Sequence, residues 1–360
     1  MTSVKKTFVI AEAGVNHNGS IDLARELIDA AVSAGADAVK FQSFVASSLV
    51  TPSASKAEYQ ITNTGATESQ LEMLQKLELS QPQQRELYDY CHSKNIQFLS
   101  TPFDLASLKF LTTDLGLETI KVGSGELTNA PFLYEVARLA KKIILSTGMS
   151  TIDEVAEALG VIAFAMTNDS SQTPTPSSIL SALTSPEGKI AIATRVALLH
   201  CTTDYPTKPN DVNLNAMLTL RNNFACQIGF SDHSVGVHLA VAAVAMGATI
   251  IEKHLTTSRE LPGPDHLASL EPHEFQSLVN QIRDVENALG DGEKLPTSVE
   301  IQNKRIARRS LVAARSIEAG EIFTQDNIAI KRPGIGRSPI EYWTLLGTTA
   351  TRDIAENEII

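Results

Sequence analysis

Short β-type runs recur along the first roughly 290 residues, each followed by a stretch with helical spacing. The runs begin at Phe8, Ala38, Gln97, Thr119, Lys142, Ala197, Gln227 and Thr249. Between them, apolar residues return at helical intervals, as in Leu23, Leu27, Ile28 and Ala31. The last such stretch carries Phe275, Leu278, Val279, Ile282, Val285 and Leu289 on one face. Strand and helix alternating eight times over this length predict a (β/α)8 TIM barrel. A doubly wound open sheet is the alternative, but no GxGxxG follows the first strand. The barrel also explains why polar residues cluster after nearly every strand, since active sites of such barrels lie at the C-terminal strand ends.

Taken in order, those ends offer Glu12; Lys40 and Gln42; Ser100 and Thr101; Lys121, Ser124 and Glu126; Ser146 and Thr147; His200; Ser231, Asp232 and His233; and His254. His233 and His254 follow two neighbouring parallel strands and so reach one edge of the sheet. Neutral imidazoles there suit a divalent transition metal, and the plain alternative is hydrogen-bonded residues at strand ends. A lysine at a buried strand end needs an anion nearby. Lys40 and Lys121, with the hydroxyls of Thr101, Ser124, Ser146 and Ser231, would cradle a phosphate; salt bridges to Glu12 or Glu126 are the other reading. Glu12 and Glu126 are acid–base candidates. His17 and His200 read as hydrogen-bonding residues, and His238 and His273 as surface residues of helices. His266 follows a turn, Pro262 to Asp265, that either carries Asp265 over the site or is a plain loop.

Hydrophobic residues make up 43% and charged residues 20%, as in soluble globular chains. A net charge of −11 argues against nucleic acid or an anionic membrane as partner. Three scattered cysteines, with no CxxC pair, argue against a disulfide framework and fit a reducing cytoplasm. The N-terminal segment lacks the apolar core of a signal peptide, and no run reaches membrane-span length. Ser43 to Gly65 reads as an extended loop. The Ser-, Thr- and Pro-rich stretch from Asn168 to Lys189 reads as a surface insertion or mobile loop. The barrel should occupy 1–289 and a polar linker 290–309. A small β-rich domain should occupy 310–360; it buries little surface and should lean on a neighbour.

The motifs AEAGVNHNGS, GADAVKFQ, STPFD, IKVGSGE, ILSTGM, LLHCTTDYP, IGFSDHS, IEKHLT and PGPDH stand in this order. Together they closely resemble the bacterial sialic acid synthases. The terminal AARSIEAGEIFTQDNIAIKRPGIG is similar to their antifreeze-like, or SAF, domain. The resemblance spans nearly the whole chain. It implies a TIM barrel that joins phosphoenolpyruvate to an N-acylated amino sugar. It also implies a divalent ion, usually Mn2+ with Mg2+ or Co2+ as substitutes, and a domain-swapped homodimer whose C-terminal domains cap the partner's barrel.

Carried over motif by motif, the resemblance makes His233 and His254 the metal ligands. Lys40, Thr101, Lys121, Ser124, Ser146, Tyr205 and Ser231 would hold phosphoenolpyruvate. Glu12, Gln42 and Asp265 would face the sugar, Glu126 would lie near the reacting carbons, and Arg332 would reach the N-acyl group from the partner chain. Glu126, Glu12 and Lys121 are thus the catalytic candidates. Thr203 stands where some members have asparagine. A metal-dependent pyruvate aldolase would use a similar barrel and ion, but two lysines among hydroxyls favour a phosphorylated substrate. A Schiff-base aldolase using Lys121 would leave the histidines idle. The stretch KAEYQITNTGATESQLEMLQKLELS resembles neuraminate and legionaminate synthases more than pseudaminate synthases. N-acetylneuraminate from N-acetylmannosamine is the first expectation. N,N'-diacetyllegionaminate from 2,4-diacetamido-2,4,6-trideoxymannose is the second.

Overall fold

The computed structural model describes residues 6–360 except residue 66. Residues 1–5, read above for a targeting signal, lie outside the described residues. The chain divides into two compact units, Met1–Gly290 and Asp291–Ile360.

In the first unit the strands are β1 (Phe8–Gly14), β2 (Ala38–Ser43), β3 (Gln97–Pro102), β4 (Thr119–Val122), β5 (Lys142–Ser146), β6 (Val196–His200), β7 (Gln227–Asp232) and β8 (Ile250–His254). They form one parallel sheet in the order β3-β2-β1-β8-β7-β6-β5-β4. β3 and β4 are also neighbours, which brings the two ends of that order together. The eight-strand barrel expected from the alternation is present.

Strand side chains alternate between faces with a period of two. Ile10, Ala38, Leu99, Ile144, Ala197, Leu199 and Ile250 pack together inside the ring. Val9, Ala11, Val39, Ile143, Leu198 and Ile251 pack outward under the helices. Two residues beyond the inner layer, on the same face, stand Glu12, Lys40, Thr101, Ser146 and Glu252. The barrel thus has an apolar floor and a polar mouth. Gly229 of β7 keeps the floor closed: a Cβ there would lie 2.5 Å from the Ile250 carbonyl oxygen and 2.6 Å from Leu199 Cδ2.

Two segments read as loops are partly helical. The Asn168–Lys189 stretch holds the helix Pro176–Thr184 and begins a second, Pro186–Arg195. Thr175 accepts from the Ser178 N–H and Ser185 from the Gly188 N–H. The Thr-Pro and Ser-Pro pairs that suggested a loop are therefore N-cap and first-turn signals. Between β2 and β3, the expected loop contains the helices Ala46–Leu49 and Glu58–Thr64, followed by Gln70–Leu77. Two details concern helix ends. Thr151 caps Ile152–Thr167 by accepting from the Glu154 N–H. Leu289 is exposed, and Glu286 takes the buried place at the end of its helix face, accepting from the Arg283 guanidinium.

The second unit contains a helix, Ser298–Ala307, inside the segment read as a linker. Beyond it β9 (Ser310–Ala313) pairs antiparallel with β10 (Ile328–Lys331). Leu311, Ala313, Ile317, Phe323, Ile328, Leu345, Ala350 and Ile354 form its small core. Among the described residues no helix is long and apolar enough to cross a membrane.

Candidate active site at the barrel mouth

A cavity of about 420 Å³ opens at the C-terminal ends of the strands. It is lined by Glu12, Lys40, Gln42, Thr101, Lys121, Ser124, Glu126, Ser146, Thr203, Tyr205, Ser231, His233, His254 and Asp265. Of the residues offered by the strand ends, Ser100, Thr147, His200 and Asp232 are absent from this lining, and the others share it. Arg332 lies in the second unit, where its Nε donates to the Ala307 carbonyl at 2.9 Å. His17 and His200 are not part of the lining. His17 Nδ1 accepts from the Gly19 N–H at 3.0 Å, and His200 Nε2 lies 2.6 Å from the Val212 carbonyl oxygen. A larger cavity of about 610 Å³ opens at the strand starts, around Phe8, Gln97, Lys142 and Gln227. It contains none of the buried ion pairs, so the chemistry belongs to the smaller one.

Four buried charges dominate the mouth. Lys40 Nζ lies 2.7 Å from Glu12 Oε2 and 3.7 Å from Glu252 Oε2. Lys121 Nζ lies 3.7 Å from Glu252 Oε1. Lys40 also donates to Thr101 Oγ1 at 3.0 Å, and Lys121 to Ser146 Oγ at 2.7 Å. Hydroxyls stand beside both lysines, and carboxylates pair with them. The carboxylate on Lys40 is Glu12, as anticipated, but Glu126 pairs with neither lysine and accepts instead from Asn129 Nδ2 at 2.6 Å.

Glu252 was not singled out from the sequence. Its place was legible, because it shares the inward parity of Ile250 and His254 and pairs in register with Ser231. Ser231 Oγ donates to Glu252 Oε1 at 2.8 Å. Burial alone would raise the Glu252 pKa, but Lys121 and Lys40 outweigh it and hold the carboxyl at about 2. At Glu12 burial wins over the pull of Lys40, and the pKa rises to about 7. Burial also lowers the Lys121 pKa against the attraction of Glu252. Burying several charges is costly unless each is paired, and such pairs are weak evidence for stability.

The histidine rings are 5.6 Å apart between centroids. His233 Nδ1 lies 2.6 Å from the Thr202 carbonyl oxygen, so it carries the proton and Nε2, 3.2 Å from Ser231 Oγ, keeps its lone pair. Burial lowers the His233 pKa to about 4. Burial, with His233 and Lys40 adding to it, takes His254 well below the ordinary histidine value. Both imidazoles are neutral near pH 7. His254 Nδ1 is buried without a hydrogen-bond partner, with Asp265 Oδ2 at 3.9 Å. Two neutral imidazoles, one with its outer nitrogen anchored on a carbonyl, fit a divalent cation. Among the described residues no group of three or more His, Cys, Asp or Glu side chains is arranged to hold a metal. His233 and His254 would be the protein's two donors.

Tyr205 packs against this pair, its ring 4.2 Å from His233 and 5.6 Å from His254. Gly148 packs tightly against the other side: a Cβ there would lie 2.6 Å from Thr203 Oγ1 and 2.9 Å from Ser124 Oγ. Its N–H donates to Ser124 Oγ at 2.9 Å, which fixes that hydroxyl at the cavity edge.

Mouth, ion cluster and histidine pair define one candidate active site of a barrel enzyme, with two buried lysines on one side and two neutral imidazoles on the other. Residues 27–294 match the NeuB family and residues 308–360 the SAF domain. The chain is 46% identical to an N,N'-diacetyllegionaminic acid synthase of Campylobacter jejuni, over 99% of both proteins. It is 40% identical to a Legionella pneumophila protein of the same description, over 97% of this chain and 91% of that one. The crystal structure of an N-acetylneuraminic acid (sialic acid) synthetase from Leptospira borgpetersenii superposes with a TM-score of 0.65 at 32% identity, covering 83% of this chain and 90% of that one. The chain belongs to the NeuB family, the sialic acid synthases that its motifs resemble, and is an enzyme of the nonulosonate synthase kind.

Proposed function

We propose that this enzyme condenses phosphoenolpyruvate with open-chain 2,4-diacetamido-2,4,6-trideoxymannose and water, releasing N,N'-diacetyllegionaminate and phosphate. The observation that carries the choice of sugar is the end-to-end 46% identity to a protein named for that product. It moves the second of the two expectations from the sequence ahead of N-acetylneuraminate. The phosphorylated partner is supported by Lys40 and Lys121, buried and facing one shared carboxylate, Glu252.

The reaction forms one carbon–carbon bond and one carbon–oxygen bond, to water, and breaks one carbon–oxygen bond, to phosphate. The enol carbon attacks the aldehyde carbon, and the aldehyde oxygen gains a proton. Water adds to the phosphate-bearing carbon, and phosphate leaves from it. Lys40, Lys121 and the hydroxyls of Thr101, Ser124, Ser146 and Ser231 hold the phosphate and carboxylate throughout, with Tyr205 and Thr203 closing that side. Glu126 stands half-buried at the cavity edge. With Oε2 bonded to Asn129, its Oε1 is free to accept the proton of the attacking water. Glu12, Gln42 and Asp265 face the sugar. A bound Mn2+, Mg2+ or Co2+ would supply Lewis-acid polarisation of the aldehyde. The neutral His233 and His254 would hold it.

Phosphate release and product mass, measured with each sugar, test this reading. The diacetamido sugar should show a kcat/KM at least about tenfold above that of N-acetylmannosamine. A preference for N-acetylmannosamine would restore the neuraminate reading. Pyruvate consumption without phosphate release would indicate an aldolase.

We also propose that the enzyme is a homodimer in which Arg332 reaches the partner's sugar site. Arg332→Ala and His254→Ala subunits should each be inactive alone and recover up to about a quarter of wild-type activity after exchange, the share expected when one of four site combinations is intact. Proven exchange with no recovery would exclude a cap in trans.

A further inference from the structure

The cavity has a second wall, which the chemistry above leaves unused. It is built by the segment between β2 and β3. Leu49, Val50, Met73 and Leu74 give it an apolar surface, and Tyr59 and Gln60 stand beside them.

The wall is braced. Lys56 is 8% exposed, and its Nζ donates to Thr64 Oγ1 at 2.9 Å and to the Gly65 carbonyl at 3.0 Å. It also pairs with Glu68 at 3.2 Å, so one ammonium ties both sides of the Glu58–Thr64 helix. Asn63 Nδ2 donates to the Pro264 carbonyl at 2.6 Å, next to Asp265. The Tyr59 ring lies 5.0 Å from that of Tyr205, which packs on His233. The segment is thereby joined to the reacting end of the cavity.

Gln60 gives the wall its polarity. Its Oε1 accepts the Ala57 N–H at 3.0 Å, which fixes the orientation of the amide and leaves the Nε2 protons as donors. A donor beside apolar surface complements an acylamino group, whose carbonyl accepts while its methyl packs. A primary hydroxyl placed against the same surface would lose water without gaining a partner. A methyl in that place carries no such cost.

We propose that this wall selects the sugar by its substituents at C4 and C6. Gln60 Nε2 donates to the carbonyl of the C4 acylamino group. Leu49, Val50 and Leu74 receive the acyl methyl and the C6 methyl. The assignment rests on the legionaminate reading and adds the residues that would enforce it.

Two variants test it. Gln60→Glu keeps an oxygen for the Ala57 N–H and removes the donor. Leu74→Gln makes a half-buried apolar contact polar. Each should lower kcat/KM for the diacetamido trideoxy sugar about tenfold or more. Activity on N-acetylmannosamine should stay within about threefold, with the KM for phosphoenolpyruvate unchanged. A fall by the same factor for both sugars, or for neither, would overturn the wall. Should Leu74→Gln fail to fold, Leu74→Ala reads the same ratio. The wild-type preference tests the substrate reading separately: a preference for N-acetylmannosamine removes that reading while the variants still decide the wall. Absence of any turnover of the diacetamido sugar removes both.

Discussion

Exhaustive chelation should lower turnover by about a hundredfold to a thousandfold, and Mn2+ should restore it. His233→Ala should not be rescued at the same Mn2+ concentration. The magnitude follows from the several kcal/mol that a cation contributes by polarising a carbonyl oxygen, at about 1.4 kcal/mol per factor of ten. The structural basis is specific. His233 is anchored through Nδ1 on the Thr202 carbonyl, which leaves Nε2 as a donor atom. Burial keeps the ring neutral and so ready to bind a cation without first losing a proton. His254 has a buried nitrogen with no hydrogen-bond partner, a costly arrangement that a bound cation would relieve. Metal content measured alongside activity separates a lost ion from a lost fold, and circular dichroism of His233→Ala provides the control. Full turnover in enzyme from which metal is no longer detectable would end the metal assignment.

Much of this site was visible in the sequence because a barrel strand obeys a period of two. Once Ile10 and Ile250 face inward, Glu12, Glu252 and His254 must face the mouth. Most hydroxyls and histidines were found because they stand at or just after the end of an apolar run, and Lys40 and Lys121 because a lysine inside such a run needs an anion nearby. Glu252, inside its run beside Ile251, is one such anion and obeys the same parity, but it drew no attention beside the histidine two residues on. The segment between β2 and β3 was less legible for a different reason. Its helices are short, and Glu58–Thr64 buries no residue fully. Such helices show no sustained apolar period, and the fold they adopt depends on tertiary ties such as Lys56 and Asn63. The insertion after the fifth strand was misread because cap residues and prolines look like loop composition until their order is considered. Thr175-Pro176 and Ser185-Pro186 start helices.

Breaking the ion pair between Asp232 and Lys253 should destabilise the barrel by about 3–5 kcal/mol, the usual cost of leaving one buried charge uncompensated. The two side chains are 0% exposed, and Lys253 Nζ lies 2.9 Å from Asp232 Oδ2. They stand opposite one another in register on β7 and β8. Lys253 also donates to the Ser234 carbonyl. Asp232 Oδ1 accepts from the Ser234 N–H at 2.9 Å and from its hydroxyl at 2.6 Å. Burial lowers the Lys253 pKa against the attraction of Asp232, so loss of that carboxylate favours the neutral amine further. Lys253→Met and Asp232→Leu should therefore each shift the urea midpoint strongly, while the double variant should recover most of the stability, since two apolar side chains can replace a buried pair. Catalysis should not recover with it. Asp232 ends β7 directly before His233, Lys253 directly precedes His254 on β8, and Asp232 shapes the turn at Ser234. The double variant should fold yet bind Mn2+ about ten- to a hundredfold more weakly, the range for residues that orient metal ligands. Single substitutions costing under about 1 kcal/mol would show that the pair is not the constraint inferred from its burial. A stable double variant with wild-type Mn2+ affinity would show that the pair holds the fold and leaves the orientation of the histidines to the Thr202 carbonyl.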